Sequence, residues 1–591
     1  MENIKTKKVN RLGDLVRAFK KWYIPFIISI LLLAASVVFA ILTPGEIRLL
    51  TNCLDPKEAV RLGINFQVDF AQASRHAIRL VIYISASFFA AVSSGFILNT
   101  CIMKFSREVR ARIIRKIDSL PLNYYDTRQV GDILSVVTND VDTLSTSLQN
   151  SISMLVQAGV MLFGVIIAMF IACWQMAIAV LCSLPLMLLI IWLTFKFGGP
   201  AFNENQVVLG EVNAIVEENF SGQIVVKAFN AENRKINEFK GRNNKLGKLL
   251  FKSQTIGGII EPFMSLVSYL TYAAVLIIGG LLYSRGVIDF GVITGFIVYV
   301  ALFQQPLSEL GQIGSTIQLG LAANNRVFAF LGEEELPDES YKTEQLDHSH
   351  IRGEVEFKDV CFGYDPKKLT IKHFNQKIQP GMKVAIIGPT GAGKTTLVNL
   401  LMRFYETTSG DILIDGKSIH DMKPSELREV FGMILQETWV INGSLRENII
   451  YNLQGVEEER FNEILKETNL EHFVNTLPDG ADTIIQKESA LSAGQKQLVT
   501  IARAMAENSP MLILDEATSN VDTRTEILIQ EAMDKLTKGR TSFVIAHRLS
   551  TIKNADLIIV MKDGNVVETG NHDSLMKLKG LYCEIYNSQF N

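Results

Sequence analysis

The stretch Gly388-Pro389-Thr390-Gly391-Ala392-Gly393-Lys394-Thr395 has the form G-x-x-x-x-G-K-T. Glycines let a backbone curl until its N–H groups face one point, and such a concavity holds polyphosphate. A lysine at this spacing reaches the β and γ phosphates, and the hydroxyl after it is placed for Mg²⁺. Downstream, Met511-Leu512-Ile513-Leu514-Asp515-Glu516 is an apolar run ending in two carboxylates. Asp515 suits Mg²⁺, directly or through water, and Glu516 is placed to polarise a water attacking the γ-phosphate. Leu491-Ser492-Ala493-Gly494-Gln495 opens a helical pattern through Gln497, Leu498, Ile501 and Ala502. Ser492 reads as its N-cap, with free N–H groups facing outward as a second phosphate-binding edge. A lone acidic strand end or capped helix is commonly structural; a phosphate loop upstream makes them parts of one site.

These residues need a strand–loop–helix frame. Lys383-Val384-Ala385-Ile386-Ile387 is apolar and β-branched and predicts a buried strand. Thr396-Leu397-Val398-Asn399-Leu400-Leu401 predicts the helix that starts at the loop, whose N-terminal partial charge favours phosphate. From Ile351 onward strands and helices alternate, the pattern of an α/β domain. Gly332 to Ser349 turns acidic and polar around Pro337 and reads as a linker. The expected domains are 1–330, a linker over 331–350, and 351–591.

The first half is different. The chain of 591 residues is 48% hydrophobic with mean hydropathy +0.21, and the apolar excess is confined to that half. Long apolar runs cover Tyr23–Thr43, Ile78–Leu98, Ile152–Ala172, Met176–Phe195, Gly257–Leu282 and Gly291–Phe303, the last reaching spanning length only if it continues toward Leu310. A bilayer crossing takes about 20 apolar residues. Lys and Arg concentrate in the N-terminal segment and in 101–150 and 198–255, which the positive-inside rule places in the cytoplasm. An even number of spans then returns the chain to the compartment that holds ATP. Residues from about Val9 to Trp22 mix basic and apolar types and suit a helix on the membrane surface or the basic flank of the first span. Met1 to Arg11 is polar and basic, without the pattern of a removable signal peptide. The six cysteines are scattered without metal spacing, a reduced-compartment pattern, and a net charge of −3 gives no case for nucleic acid. The two cytoplasmic stretches predict long helices running out of the membrane, with turns near Tyr124–Arg128 and Phe229–Lys235 placed to touch the soluble domain.

The order phosphate loop, Gln436, Leu491–Gln495, Asp515-Glu516, Ser519-Asn520-Val521-Asp522 and His547 resembles an ATP-binding-cassette domain. With six apolar runs ahead of it, the chain resembles an ABC half-transporter of the exporter type; Pro121–Asp142 is similar to that family's first intracellular loop. The implied fold is an all-α transmembrane domain of six helices with long cytoplasmic extensions, followed by an α/β P-loop NTPase domain. The resemblance implies that Tyr364 stacks on adenine. Gln436 would sense Mg²⁺ and the attacking water, with Thr395, Gln436 and Asp515 around the metal. Glu516 would be the general base, and His547 would contact the γ-phosphate. Leu491, Ser492, Ala493, Gly494 and Gln495 would close over the nucleotide of a partner chain. Thr396 would complete the nucleotide-binding set. The run Ile485–Ala490 lacks the glycine many relatives carry before the signature. Ser519-Asn520-Val521-Asp522 resembles the catalytically competent subunit of heterodimeric bacterial multidrug exporters.

The implied activity is ATP hydrolysis coupled to efflux of amphipathic or hydrophobic compounds, with ATP and Mg²⁺ as cofactors. The expected partner is a second half-transporter, a different chain by preference and otherwise a second copy, and the expected location is a bacterial inner membrane with N-terminus and ATPase in the cytoplasm. A lipid flippase or an exporter-fold importer shares every motif. An ATP-gated regulator or channel is a rival of another class, opposed by the presence of Glu516 and His547. Glu261, beside Pro262 in the fifth run, is a candidate substrate contact, because a charge at the bilayer centre costs about 3 kcal/mol. Its bland alternative is a solvated position near the cytoplasmic mouth.

Overall fold

The computed structural model describes residues 11–54, 70–342, 344, 346, 350–365, 367–435, 438–485, 491–515, 522–546 and 549–590. The chain divides into two compact units. One comprises residues 1–120 and 128–334; the other comprises residues 121–127 and 335–591.

The first unit is helical. Among the described residues six helices are long and apolar enough to cross a membrane. The first, Tyr23–Asn52, follows the short amphipathic helix Arg11–Ala18. The second is Phe70–Ser119 and the third is Val141–Ala172. The fourth is made of Trp174–Leu181 and Leu184–Ser221, the fifth is Glu232–Ser284, and the sixth is Phe290–Leu331. They outrun the apolar stretches because polar helical sequence continues them past the hydrocarbon depth. The sixth continues unbroken through Pro306.

Prolines inside such helices leave carbonyls without donors. Pro44 removes the donor for the Ala40 carbonyl in the first helix, and the Thr43 hydroxyl donates to it instead. Between the first two helices, serines replace greasy contacts. The Ser29 hydroxyl donates to the Ser94 carbonyl at 2.9 Å, and the Ser94 hydroxyl donates to the Ser29 carbonyl at 2.8 Å. Two helical turns along, Ser36 and Ser87 repeat the exchange, each at 2.9 Å. Small hydroxylated residues let antiparallel helices approach closely and tie them in an apolar medium. Nearer the cytosol, a π-turn at Val136–Asp140 leads into the third helix. It presents buried Asp140 to the Arg326 guanidinium of the sixth, a bidentate pair.

In the second unit, a four-stranded antiparallel sheet runs in the order β2 (Ile371–Ile378), β1 (Val355–Phe362), β4 (Ser409–Ile414), β5 (Lys417–Ser418). A six-stranded sheet runs β12 (Asn565–Gly570), β11 (Leu557–Lys562), β3 (Lys383–Ile387), β10 (Thr541–Ile545), β9 (Met511–Asp515), β6 (Phe431–Ile434). From β11 to β6 the strands are parallel; β12 is antiparallel at the edge. Parallel strands are covered on both faces and so read as continuous apolar runs. Side chains alternate between two cores. Ala385, Ile387, Leu512, Leu514 and Val544 face the core that also holds Leu445, Phe461 and Leu498. Val384, Ile386, Met511, Ile513, Phe543 and Ile545 face the core with Leu397, Leu400 and Phe374.

Candidate nucleotide site

Register places the chemistry. Ile545 of β10 pairs with Ile386 of β3 on one side and with Asp515 of β9 on the other. The carboxyl ends of three parallel strands are therefore level, where open α/β sheets form their ligand crevices. The phosphate loop leaves β3 there, and Asp515 ends β9 there.

The loop's shape demands glycine, most tightly at Gly388 and Gly393. Gly388 has φ +152°, and a Cβ on it would meet the Met561 carbonyl at 2.2 Å. Gly393 has φ +102° and would press a Cβ to 2.6 Å from Ile371 Cδ1. Gly393 is the N-cap of the helix Lys394–Leu401. Leu397, Val398, Leu400 and Leu401 bury that helix in the core below, so its N-terminus is fixed. Lys394 Nζ donates to the carbonyls of Gly388, at 2.8 Å, and Pro389, at 3.2 Å. Burial pushes the Lys394 ammonium below its ordinary range, and the Asp515 carboxylate partly offsets this. A half-buried cation held over curled backbone suits a phosphate, which would restore its charge-assisted bonds. Pro389, Thr390, Gly391 and Thr395 are exposed; Ala392 and Thr396 are buried. The hydroxyl of Thr395 and the carboxylate of Asp515 are hard oxygen donors, the type Mg²⁺ takes.

Tyr364 is half-exposed, and its hydroxyl lies 3.2 Å from Thr396 Oγ1. Its ring meets Phe362 and Tyr405 edge-on at 5.0 and 5.1 Å. The Tyr405 hydroxyl in turn donates to the Asp126 carboxylate on the short helix Leu122–Asp126, which belongs to this second unit. The Tyr405 phenol is raised well above its ordinary range by burial and by Asp126. Sequence reasoning marked the turn near Tyr124 but missed Tyr405. The aromatic pair Phe404-Tyr405 next to Arg403 offered a weak signal, with no spacing rule to tie it to Asp126.

Ser492 caps the helix Ala493–Glu507 with a reciprocal box: Gln495 N donates to Ser492 Oγ at 3.2 Å, and Ser492 N donates to Gln495 Oε1 at 2.9 Å. Leu491 and Gly494 are buried beneath it, while Ser492 and Ala493 are exposed. Asp522 caps Thr523–Thr537, accepting from Thr525 N at 3.0 Å and Arg524 N at 3.1 Å. Those N–H groups hold its carboxyl below the usual range. Gln436, Glu516, Ser519, Asn520, Val521 and His547 lie outside the described residues. Glu261 lies in the fifth membrane helix and is exposed.

Comparison with known proteins covers both units. Residues 26–307 match the family described as ABC transporter transmembrane region, and residues 371–519 match the family described as ABC transporter. A Mycobacterium tuberculosis (strain CDC 1551 / Oshkosh) relative named "Fatty acid ABC transporter ATP-binding/permease protein" is 41% identical over 520 residues, 88% of this chain and 82% of the relative. The "ATP-dependent lipid A-core flippase" of Syntrophus aciditrophicus (strain SB) is 35% identical over 508 residues, covering 85% of this chain and 83% of its own. A solved structure described as "Structure of a bacterial Atm1-family ABC exporter with ATP bound" superposes with TM-score 0.72 at 25% identity, over 97% of this chain and 98% of that one.

Proposed function

The chain belongs to the ABC transporter family, as an exporter half-transporter that joins permease and ATPase in one polypeptide of the bacterial inner membrane, and from that premise we propose that it exports amphipathic or hydrophobic compounds as one half of a heterodimer. As an ABC ATPase it binds ATP with Mg²⁺ and couples hydrolysis to transport. Amphipathic cargo is supported by a membrane unit whose helices pack on apolar side chains such as Val37, Val165, Val267 and Phe296. It is also supported by the printed names of two relatives, one concerned with fatty acid and one with lipid A-core.

The proposed catalytic division follows the residues. Lys394 and the loop N–H groups hold the β and γ phosphates. Thr395, Asp515 and Gln436 would hold Mg²⁺, which would supply positive charge beside the phosphates. Glu516 takes the proton of the attacking water, and His547 steadies the γ-phosphate. Tyr364 carries adenine. The capped N-terminus at Ser492, with Gly494 and Gln495, closes over the nucleotide of the opposing chain. One cassette thus offers one edge to each of two nucleotides, and turnover requires two. The D-loop sequence Ser519-Asn520-Val521-Asp522 carries the preference for a different partner chain.

Two measurements test this. Purification from the native membrane should recover a second, different half-transporter at equal stoichiometry; recovery of this chain alone, at twice its mass and with ATPase activity, would show a homodimer. ATPase activity of the complex should be stimulated by several structurally unrelated amphipathic compounds. Stimulation confined to one lipid would favour a dedicated flippase.

A further inference from the structure

A cavity of about 250 Å³ lies in the membrane unit between the first, third and sixth helices. Ile41, Leu42, Ala168, Ile171 and Phe296 make its wall apolar, and Arg48 is the charged residue among its lining. Arg48 lies roughly 38 Å along the first helix from Tyr23, at about 1.5 Å rise per residue. The hydrocarbon core is about 30 Å thick, so with Tyr23 at one interface Arg48 stands at the other.

The sixth helix creates this arrangement by close approach. Gly291-Val292-Ile293-Thr294-Gly295 is a G-x-x-x-G face, the pattern that brings membrane helices into backbone contact. A Cβ on Gly291 would meet the Arg48 carbonyl at 2.0 Å, and one on Gly295 would meet the Pro44 carbonyl at 3.1 Å. Gly291 N donates to Asn52 Oδ1 at 2.8 Å, which fixes the register. The contact leaves no room for bulk between the helices and directs the arginine to the cavity they border.

The guanidinium is under-used there. Among the described residues, Arg48 Nε is buried without a hydrogen-bond partner. Among the described residues its ion-pair partner is Asp289, 3.8 Å from Nη2 and itself mostly exposed. Glu46, two residues away, is engaged by His76 Nδ1 at 2.7 Å. An arginine carries five donors in a planar fork that matches a carboxylate. A half-open apolar slot headed by such a cation, smaller than drug-sized pockets of about 300–1,000 Å³, takes the charged head and the adjoining part of one acyl chain.

We propose that this cavity binds a single-chain amphipathic anion, a fatty carboxylate, with its carboxylate on the Arg48 guanidinium and its tail along Ile41, Leu42, Ile171 and Phe296. The proposal rests on the exporter reading and names a cargo class for it. The test is equilibrium binding of oleate to the full-length complex in phosphatidylcholine nanodiscs without nucleotide, so that lost turnover leaves the readout unmoved. Oleate should bind about tenfold more tightly than oleyl alcohol, the effect of one charge-assisted contact. Arg48→Gln should erase that difference, and Arg48→Lys should keep most of it. Equal affinity of the wild type for acid and alcohol overturns the proposal, and so does a preference for the acid that survives Arg48→Gln. Displacement of oleate by phosphatidylglycerol as readily as by oleate itself would assign the slot to a two-chain lipid and overturn the single-chain assignment. A complex that pumps other amphipaths yet fails this test leaves export standing and removes only the site.

Discussion

Lys394 illustrates how much one side chain carries. Its ammonium is half-buried and held by two carbonyls of its own loop, so removing it leaves those carbonyls and any phosphate without a cation. Lys394→Ala should lose nucleotide binding, measured by equilibrium titration with a fluorescent ATP analogue; unchanged affinity would remove the phosphate assignment. Some of this scale was legible from spacing, because G-x-x-x-x-G-K-T needs only local backbone. Tyr405 and Asp126 were not, because a hydrogen bond across such sequence separation leaves no periodic trace. The same holds for the buried Arg403 guanidinium, which grips Glu339 at 2.6 Å and Glu406 at 2.8 Å. Burial raises the Glu406 carboxyl, but hydrogen bonds from His420 and Arg403 outweigh it and hold it at about 2. A depressed carboxyl contributes stability above its unfolded value, and that contribution is lost as pH falls through the folded one. The window is therefore from about 4.5 down to about 2. Glu406→Gln should flatten the melting temperature of the full chain across that window relative to wild type; parallel curves would show that the cluster does not set the acid limit.

At the scale of elements, caps and helix contacts decide which segments hold their place. The box at Ser492 fixes the start of Ala493–Glu507, and losing such a cap costs about 1 kcal/mol. Ser492→Ala should reduce the stability of the complex by about that amount while cutting its ATPase rate far more, since the proposed role is at the opposing nucleotide. Equal, modest effects on both would leave Ser492 a cap alone. In the membrane unit, the reciprocal pair Ser29–Ser94 should couple the first two helices. A double-mutant cycle of Ser29→Ala and Ser94→Ala, read by detergent unfolding, should give about 0.6 kcal/mol of interaction, and additive single effects would contradict it. The strands of the large sheet were legible because both of their faces are buried, which writes them as unbroken apolar runs. The continuation of Phe70–Ser119 and Glu232–Ser284 beyond the apolar runs was legible too, in charged and helix-patterned stretches with few prolines; their exact ends were not, because hydropathy stops at the hydrocarbon boundary.

For the whole molecule, the family assignment joins six membrane helices to a cassette whose phosphate loop and Asp515 stand at level strand ends. In this family hydrolysis is coupled to transport. The order of motifs made the architecture readable from sequence. Cargo was not readable, since apolar spans serve the bilayer and the cargo alike. The most direct measurement is ATP-driven accumulation of a hydrophobic fluorescent dye in inverted membrane vesicles carrying the complex. Export requires uptake into the vesicle lumen against a gradient, dependent on Mg²⁺, and nearly abolished in Glu516→Gln while ATP still binds. Uptake that proceeds only down a gradient, or that persists undiminished in Glu516→Gln, would contradict hydrolysis-driven export and point to a gated pathway instead.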